Sequence, residues 1–183
     1  MLKTPVRGYP EAVLPASASR IYLVGFMGSG KTSVGICLAR ELGYAFVDLD
    51  EEIETRTGMS IPEIFEREGE PRFRALESEQ LRLALGTNRV VVAAGGGTLT
   101  RMENRILMQG SGITVWLEAP LEIMLERCAG GTHRPLLSSH GKMRALLMER
   151  LEGYRSCDLR VDASAGSPGS ISREILARLD SIT

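Results

Sequence analysis

Gly25-Phe26-Met27-Gly28-Ser29-Gly30-Lys31-Thr32 matches G-x-x-x-x-G-K-[ST] at every specified position. The flanks give the match its meaning. Ile21-Tyr22-Leu23-Val24 is an apolar run suited to a buried strand. From Thr32 to Leu42 the apolar residues return at helical spacing, and Gly43 marks the stop. Strand, glycine loop and helix N-terminus make a nest of backbone N–H groups aimed at an anion. Gly25, Gly28 and Gly30 let the backbone approach phosphate and take up positive φ. Lys31 then reaches the β- and γ-phosphates of a nucleoside triphosphate, and the Thr32 hydroxyl binds Mg²⁺. The plain alternative is a glycine turn before an ordinary helix. The full eight-residue pattern in a strand-to-helix context argues against it.

Downstream, Tyr44 to Val47 predicts a second strand that runs into Asp48-Leu49-Asp50-Glu51-Glu52-Ile53. Acidic residues suit a helix N-terminus, and that accounts for Glu51 and Glu52. Asp48 and Asp50 ask for more. In a doubly wound sheet the carboxyl end of a strand opens into the ligand crevice. Asp48 is expected beside the Mg²⁺ position, and Asp50 toward the group that accepts the phosphoryl. Ser60-Ile61-Pro62-Glu63 predicts a capped helix start, and a longer helix follows Gly69-Glu70-Pro71 as far as Gly86. On it Arg74 and Glu77 are three apart and can pair. Such pairs are usually surface ion pairs. The functional alternative is that Glu77 holds the Arg74 guanidinium for a carboxylate substrate.

Arg89 to Ala94 predicts a buried parallel strand, and Gly95-Gly96-Gly97 follows it directly. One glycine there is a routine turn. Three in a row point to a ligand touching backbone or to a loop that must move. A helix is expected from Thr100, a strand at Ile113 to Leu117, and a helix from Pro120 through Arg127. Cys128 to Gly141 is expected to be a long loop, a lid over about 129–141 with Arg134 inside it. In a helix over Lys142 to Tyr154, Met143, Leu146, Leu147 and Leu151 make the expected buried stripe, with Arg144, Arg150 and Arg155 off it. A last strand at Asp158 to Asp162 and a helix from Ser170 to Ile182 close the domain. Strands alternating with helices argue for a parallel sheet with helices on both faces.

The 183 residues suffice for one well-buried domain. A net charge of -1 leaves no electrostatic footprint for nucleic acid or a membrane surface. Cys37, Cys128 and Cys157 lack metal-ligand spacing and suit reduced thiols in core positions. Residues 1–19, with Pro5, Pro10 and Pro15, are expected to be a flexible extension to a domain over 20–183. Bottom-up, the chain is a small phosphotransferase. Asp50, Arg74, Arg150 and a glycine backbone suit a small polyhydroxy acid, because Asp takes hydroxyls and Arg takes carboxylate.

At this point the sequence resembles the shikimate kinases. Gly25 to Thr32, Phe46-Val-Asp-Leu-Asp50, Gly69-Glu-Pro-Arg-Phe-Arg74-Ala-Leu-Glu77, Gly95 to Gly97 and Arg134-Pro-Leu-Leu137 occur in that family's order and spacing, over about residues 20–182. The resemblance implies a three-layer α/β fold of the P-loop NTPase type, similar to the nucleoside monophosphate kinases. Its parallel sheet has five strands in the order 2-3-1-4-5. It implies ATP-dependent phosphorylation of the shikimate 3-hydroxyl, by a cytoplasmic monomer, toward chorismate and the aromatic amino acids. It implies that Gly28, Ser29, Gly30, Lys31, Thr32 and Ser33 hold the ATP phosphates and that Arg127 lies against the adenine. Thr32 would ligate Mg²⁺, with Asp48 supporting it through water. Asp50 would orient the attacking hydroxyl or accept its proton. Arg74 and Arg150 would bind the shikimate carboxylate. Gly95, Gly96 and Gly97 would touch substrate through backbone, Gly96 above all, and Arg134 would reach the phosphoryl group from the lid. Lys31, Asp50 and Arg134 are the implied catalytic set. The chain departs from the family pattern at Ala94, at Leu151-Glu152-Gly153 and at Ser164 to Pro168. Two rivals stand beside this: a gluconate kinase of the same architecture, and a nucleotide-binding module without activity.

Overall fold

The computed structural model describes residues 19–129 and 140–179. β1 (Arg20–Val24), β2 (Ala45–Asp48), β3 (Val90–Ala93), β4 (Ile113–Glu118) and β5 (Leu159–Asp162) form one sheet in the order β2-β3-β1-β4-β5. Every pairing in it is parallel. This is the strand order that the family resemblance implies. The helices are α1 (Lys31–Leu42), α2 (Leu49–Thr57), α3 (Ile61–Arg67), α4 (Gly69–Ala84), α5 (Met102–Ser111), α6 (Leu121–Ala129), α7 (His140–Arg155) and α8 (Pro168–Leu179).

Alternate residues of the strands serve opposite faces of the sheet. Ile21 and Leu23 of β1 pack with Val34 and Leu38 of α1 and Ile175 of α8. Tyr22 and Val24 pack with Leu81, Met108, Met143 and Tyr154 from α4, α5 and α7. A sheet covered on both faces needs strands apolar throughout, which is why β1 and β3 read as unbroken apolar runs. A smaller cluster of Ile53, Ile64, Phe73 and Leu76 ties α2, α3 and α4 together beside the sheet.

The register positions the site. Leu23 and Asp48 both pair with Ala93, so β1, β2 and β3 end at one level. The glycine loop after β1, the acidic pair after β2 and the three glycines after β3 therefore leave the sheet at the same edge. That edge is the carboxyl one, where open α/β sheets hold ligands.

Several boundaries differ from expectation. Thr98–Thr100 form a 3-10 turn, and α5 starts at Met102 rather than Thr100. Ala129 belongs to α6, and His140 and Gly141 belong to α7, so the expected lid loses both ends. The rest of it, with Arg134, lies outside the described residues, as does the expected extension up to residue 18. The capping box at Ser60 is present: the Glu63 carboxylate accepts from the Ser60 N–H at 2.8 Å and the Ser60 hydroxyl at 2.7 Å.

Candidate active site

The loop from Gly25 to Gly30 crosses from β1 to α1 with a left-handed Gly30, φ 94°, ahead of the first helical residue. Gly28 sits at φ 76°, and a methyl group there would stand 2.2 Å from the Met124 carbonyl oxygen. Glycine is required on both counts. Ser29 is fully buried. The Lys31 ammonium folds back over the loop, donating to the Gly25 carbonyl at 3.0 Å and the Phe26 carbonyl at 3.2 Å. Its charge thus stands at the nest of N–H groups that opens α1.

At the end of β2, Asp48 has two tasks. One oxygen accepts the Asp50 N–H at 3.1 Å and caps α2. The other accepts the Thr32 hydroxyl at 2.7 Å. A hydroxyl and a carboxylate side by side are hard oxygen donors, the set that suits Mg²⁺ with few protein ligands. Among the described residues no group of three or more His, Cys, Asp or Glu forms a cage.

The three glycines after β3 are the hub of a cluster of charged side chains. A methyl group on Gly95 would stand 2.2 Å from Glu77 Oε1 and 3.2 Å from Asp50 Oδ1. On Gly96 it would stand 2.9 Å from Arg150 Nη1 and 3.4 Å from the Tyr154 hydroxyl. On Gly97 it would stand 2.2 Å from Arg74 Nη1. Each glycine thus faces a different charged side chain at contact distance. Asp50, Arg74 and Arg150, expected from the sequence to share a site, are brought together here.

Arg74 and Glu77 are not the surface pair of the plain alternative. Arg74 donates to Glu77 at 2.6 Å and to Glu70 at 2.8 Å, and Glu77 is 1% exposed. The second Glu77 oxygen accepts from the buried Thr98 hydroxyl at 3.1 Å. Burial disfavours the Arg74 cation, but the carboxylates of Glu77 and Glu70 outweigh it and push its pKa up. A guanidinium so held is pre-oriented for a planar anion.

Arg150 corrects the sequence expectation. It does not lie off the stripe of α7; it is buried, 7% exposed, with its guanidinium over the Phe26 ring at 5.6 Å. Its Nε is buried with no hydrogen-bond partner among the described residues. Leu146, Leu147 and Leu151 are only half-buried. Sequence reasoning also missed Tyr154 and Thr98. Tyr154, 1% exposed, donates to the Gly96 carbonyl at 2.6 Å and stacks on Trp116 at 5.8 Å. The signal was available. Arg150 follows Met143 by seven, Leu146 by four and Leu147 by three, and Tyr154 follows Arg150 by four, which puts both on the inner face of α7.

Arg127, expected against an adenine, spans two loops. It donates to the Ala163 carbonyl at 2.9 Å, to Ser164 at 3.2 Å and, more weakly, to Gly28 at 3.5 Å. Beside it a cleft of about 510 Å³ opens between Glu118, Pro120, Asp162 and Ser164.

Comparisons with known proteins bear on this geometry. A family model described as shikimate kinase matches residues 27–180. A shikimate kinase from Persephonella marina is 44% identical over 160 residues, 87% of this chain and 98% of that one. A shikimate kinase from Acinetobacter baumannii, solved in complex with shikimate, superposes with a TM-score of 0.87 at 39% identity, covering 92% of this chain and 96% of that one. A gluconokinase from Sinorhizobium meliloti superposes with a TM-score of 0.58 at 22% identity, over 92% of this chain and 95% of that one, a likeness of fold alone.

Proposed function

The chain belongs to the shikimate kinase family, and from that premise we propose how its residues divide the work of moving the γ-phosphoryl group of ATP to the 3-hydroxyl of shikimate. The products are shikimate 3-phosphate and ADP, on the route to chorismate and the aromatic amino acids. One observation carries the assignment of residues: three consecutive glycines contact, one apiece, Asp50 with Glu77, Arg150 with Tyr154, and Arg74. That arrangement offers a carboxylate, two guanidinium groups and a run of backbone amides to one small ligand.

Arg74 and Arg150 take the shikimate carboxylate. Arg74 is pre-oriented by Glu77 and Glu70. Asp50 faces the hydroxyl end, orienting the 3-hydroxyl or taking its proton. Gly95, Gly96 and Gly97 lie against the substrate through backbone. On the nucleotide side Gly28, Ser29, Gly30 and Ser33 bind phosphate oxygens through loop and helix N–H groups. Lys31 swings from the loop carbonyls to the β- and γ-phosphates. Thr32 would hold Mg²⁺, with Asp48 supporting it through water; the adjacent hydroxyl and carboxylate fit a hard cation. When bound, the ion offsets charge on the phosphates. Arg127 and the loop after β5 face the adenine. Arg134, outside the described residues, supplies a further cation. Transfer of this kind needs alignment and positive charge more than covalent help.

The enzyme acts as a cytoplasmic monomer, with a domain over 20–183 and an N-terminal extension. No helix among the described residues is long and apolar enough to cross a membrane. The reading is tested by ADP release with shikimate, gluconate and nucleoside monophosphates offered separately. Release with shikimate alone is expected. Release with gluconate and not with shikimate would replace this function with the rival one, and intact ATP binding with no acceptor would leave a binding module.

A further inference from the structure

We propose that Tyr154 is a positioning residue for the acceptor substrate: its hydroxyl pins the Gly96 carbonyl beside the Arg150 guanidinium, so that loop amides and arginine meet the substrate carboxylate in a set orientation. The proposal rests on the shikimate reading above.

The glycine loop has three carbonyls to place, and all three are engaged. Gly95 accepts the Thr98 N–H at 3.0 Å. Gly97 accepts the Thr100 N–H at 3.0 Å and the Thr100 hydroxyl at 2.6 Å. Gly96 accepts from Tyr154 at 2.6 Å, the one long-range side-chain bond of the set. What the loop offers a ligand is therefore its N–H groups. In a trans peptide the N–H points opposite to the C=O. Pinning the Gly96 carbonyl onto Tyr154 thus turns the Gly97 N–H away from α7. Glycine has the widest choice of φ and ψ, so without that anchor the middle peptide could flip.

Arg150, one helical turn earlier, lies beside the same hydroxyl, and its charge draws the tyrosine's pKa down. Arg150 and Tyr154 both lie within 3.4 Å of the position a Gly96 methyl group would take. The tyrosine is itself held rigidly, 1% exposed and stacked on Trp116 of β4. Burial pushes its pKa up to about 12, against the pull of Arg150. It therefore keeps its proton, and remains a donor to Gly96, at any pH where the enzyme works. Among the described residues this network meets the nucleotide loop at Phe26, whose ring lies under the Arg150 guanidinium, and at Gly25, whose carbonyl oxygen is 3.3 Å from the position of a Gly96 methyl group.

The test is Tyr154→Phe in the full chain. It keeps the ring, the stack and the volume, and deletes only the hydroxyl. Rates are measured at varied shikimate and, separately, at varied ATP, with the thermal midpoint alongside. KM for shikimate is expected to rise up to about tenfold, the upper range for a lost hydrogen bond, while KM for ATP stays unchanged. A merely structural role would shift the thermal midpoint without dividing the two KM values. An unchanged KM for shikimate, or an equal rise in both, overturns the proposal. If Tyr154→Phe does not fold, 4-fluorophenylalanine at that position fills the tyrosine outline without the donor and is scored by the same division. Turnover of shikimate by the unaltered chain is measured first. Its absence would count against the shikimate reading and not against Tyr154, whose role is then scored on the acceptor that the panel identifies.

Discussion

At the scale of single residues, Asp50 is the sharpest test of the chemistry. Its backbone N–H is fixed by Asp48, and its Oδ1 lies 3.2 Å from where a Gly95 methyl group would stand. Asp50→Asn preserves shape and removes the charge. We expect kcat with shikimate to fall by about 10² or more, the range of a lost general base, with ATP affinity unchanged by calorimetry. Turnover within a few-fold of the unaltered enzyme would remove Asp50 from the reaction. This residue was legible in the sequence because a short apolar strand running into Asp-x-Asp places both acids at a strand end. Arg74 with Glu77 was legible as a pair but not as a buried one, since spacing gives proximity along a helix and says nothing of depth. Depth came from Thr98, on a turn 21 residues further along the chain, which bonds the second Glu77 oxygen. Arg150 was misplaced for a related reason. Its charge suggested solvent, while its spacing from Met143 and Leu147 pointed inward. Spacing won because the face of the Phe26 ring compensates the buried cation.

At the scale of elements, α1 shows how tightly the nucleotide side is built. Gly35 lies in mid-helix, where alanine is ordinarily better by about 1 kcal/mol. Here a methyl group would stand 2.4 Å from Phe46 Cε2 and 3.2 Å from Leu23 Cδ1. Overpacking of this kind costs about 1–3 kcal/mol, so the clash outweighs the gain in propensity. Gly35→Ala is expected to lower the thermal midpoint by several degrees. The double variant with Phe46→Leu should recover most of the loss. A rise in midpoint for the single variant would show that the ring yields freely. The strands and most helices were legible from periodicity and glycine stops. The ends were less so. Thr98–Thr100 coil into a 3-10 turn because Gly95 and Gly97 carbonyls accept from Thr98 and Thr100, a local competition that apolar spacing does not register.

At the scale of the whole molecule, burial sets the alkaline limit of stability. Burial raises the pKa of Tyr22, against its bond to Ser111 and the nearby Arg20, and that of Tyr44, against Arg89. It pushes Tyr154 and Cys157 up to about 12, from ordinary values of 10.0 and 9.0. A group whose pKa is raised by folding keeps its proton longer in the native state. Its contribution is complete below the unfolded value and is lost as pH climbs through the folded one. The thermal midpoint should therefore hold to about pH 9 and fall steadily toward pH 12. Each fully shifted group accounts for about 1.4 kcal/mol per pH unit. Tyr154→Phe should flatten that limb. A midpoint level from pH 9 to pH 11 would contradict the account. The sheet order needed all five strands in place, and here the family resemblance supplied what apolar runs could not: a parallel sheet of this length admits several orders, and local sequence does not choose among them.

The run of three glycines also has an evolutionary consequence. Most loop positions can drift, because a change there meets solvent. At 95, 96 and 97 the smallest possible side chain would collide in turn with a carboxylate, a buried guanidinium and the arginine of an ion-pair network. No single compensating change elsewhere relieves more than one of them. Drift within this lineage is therefore confined to the groups that face the loop, and a new acceptor specificity would arise by exchanging those partners while the glycines stay as they are.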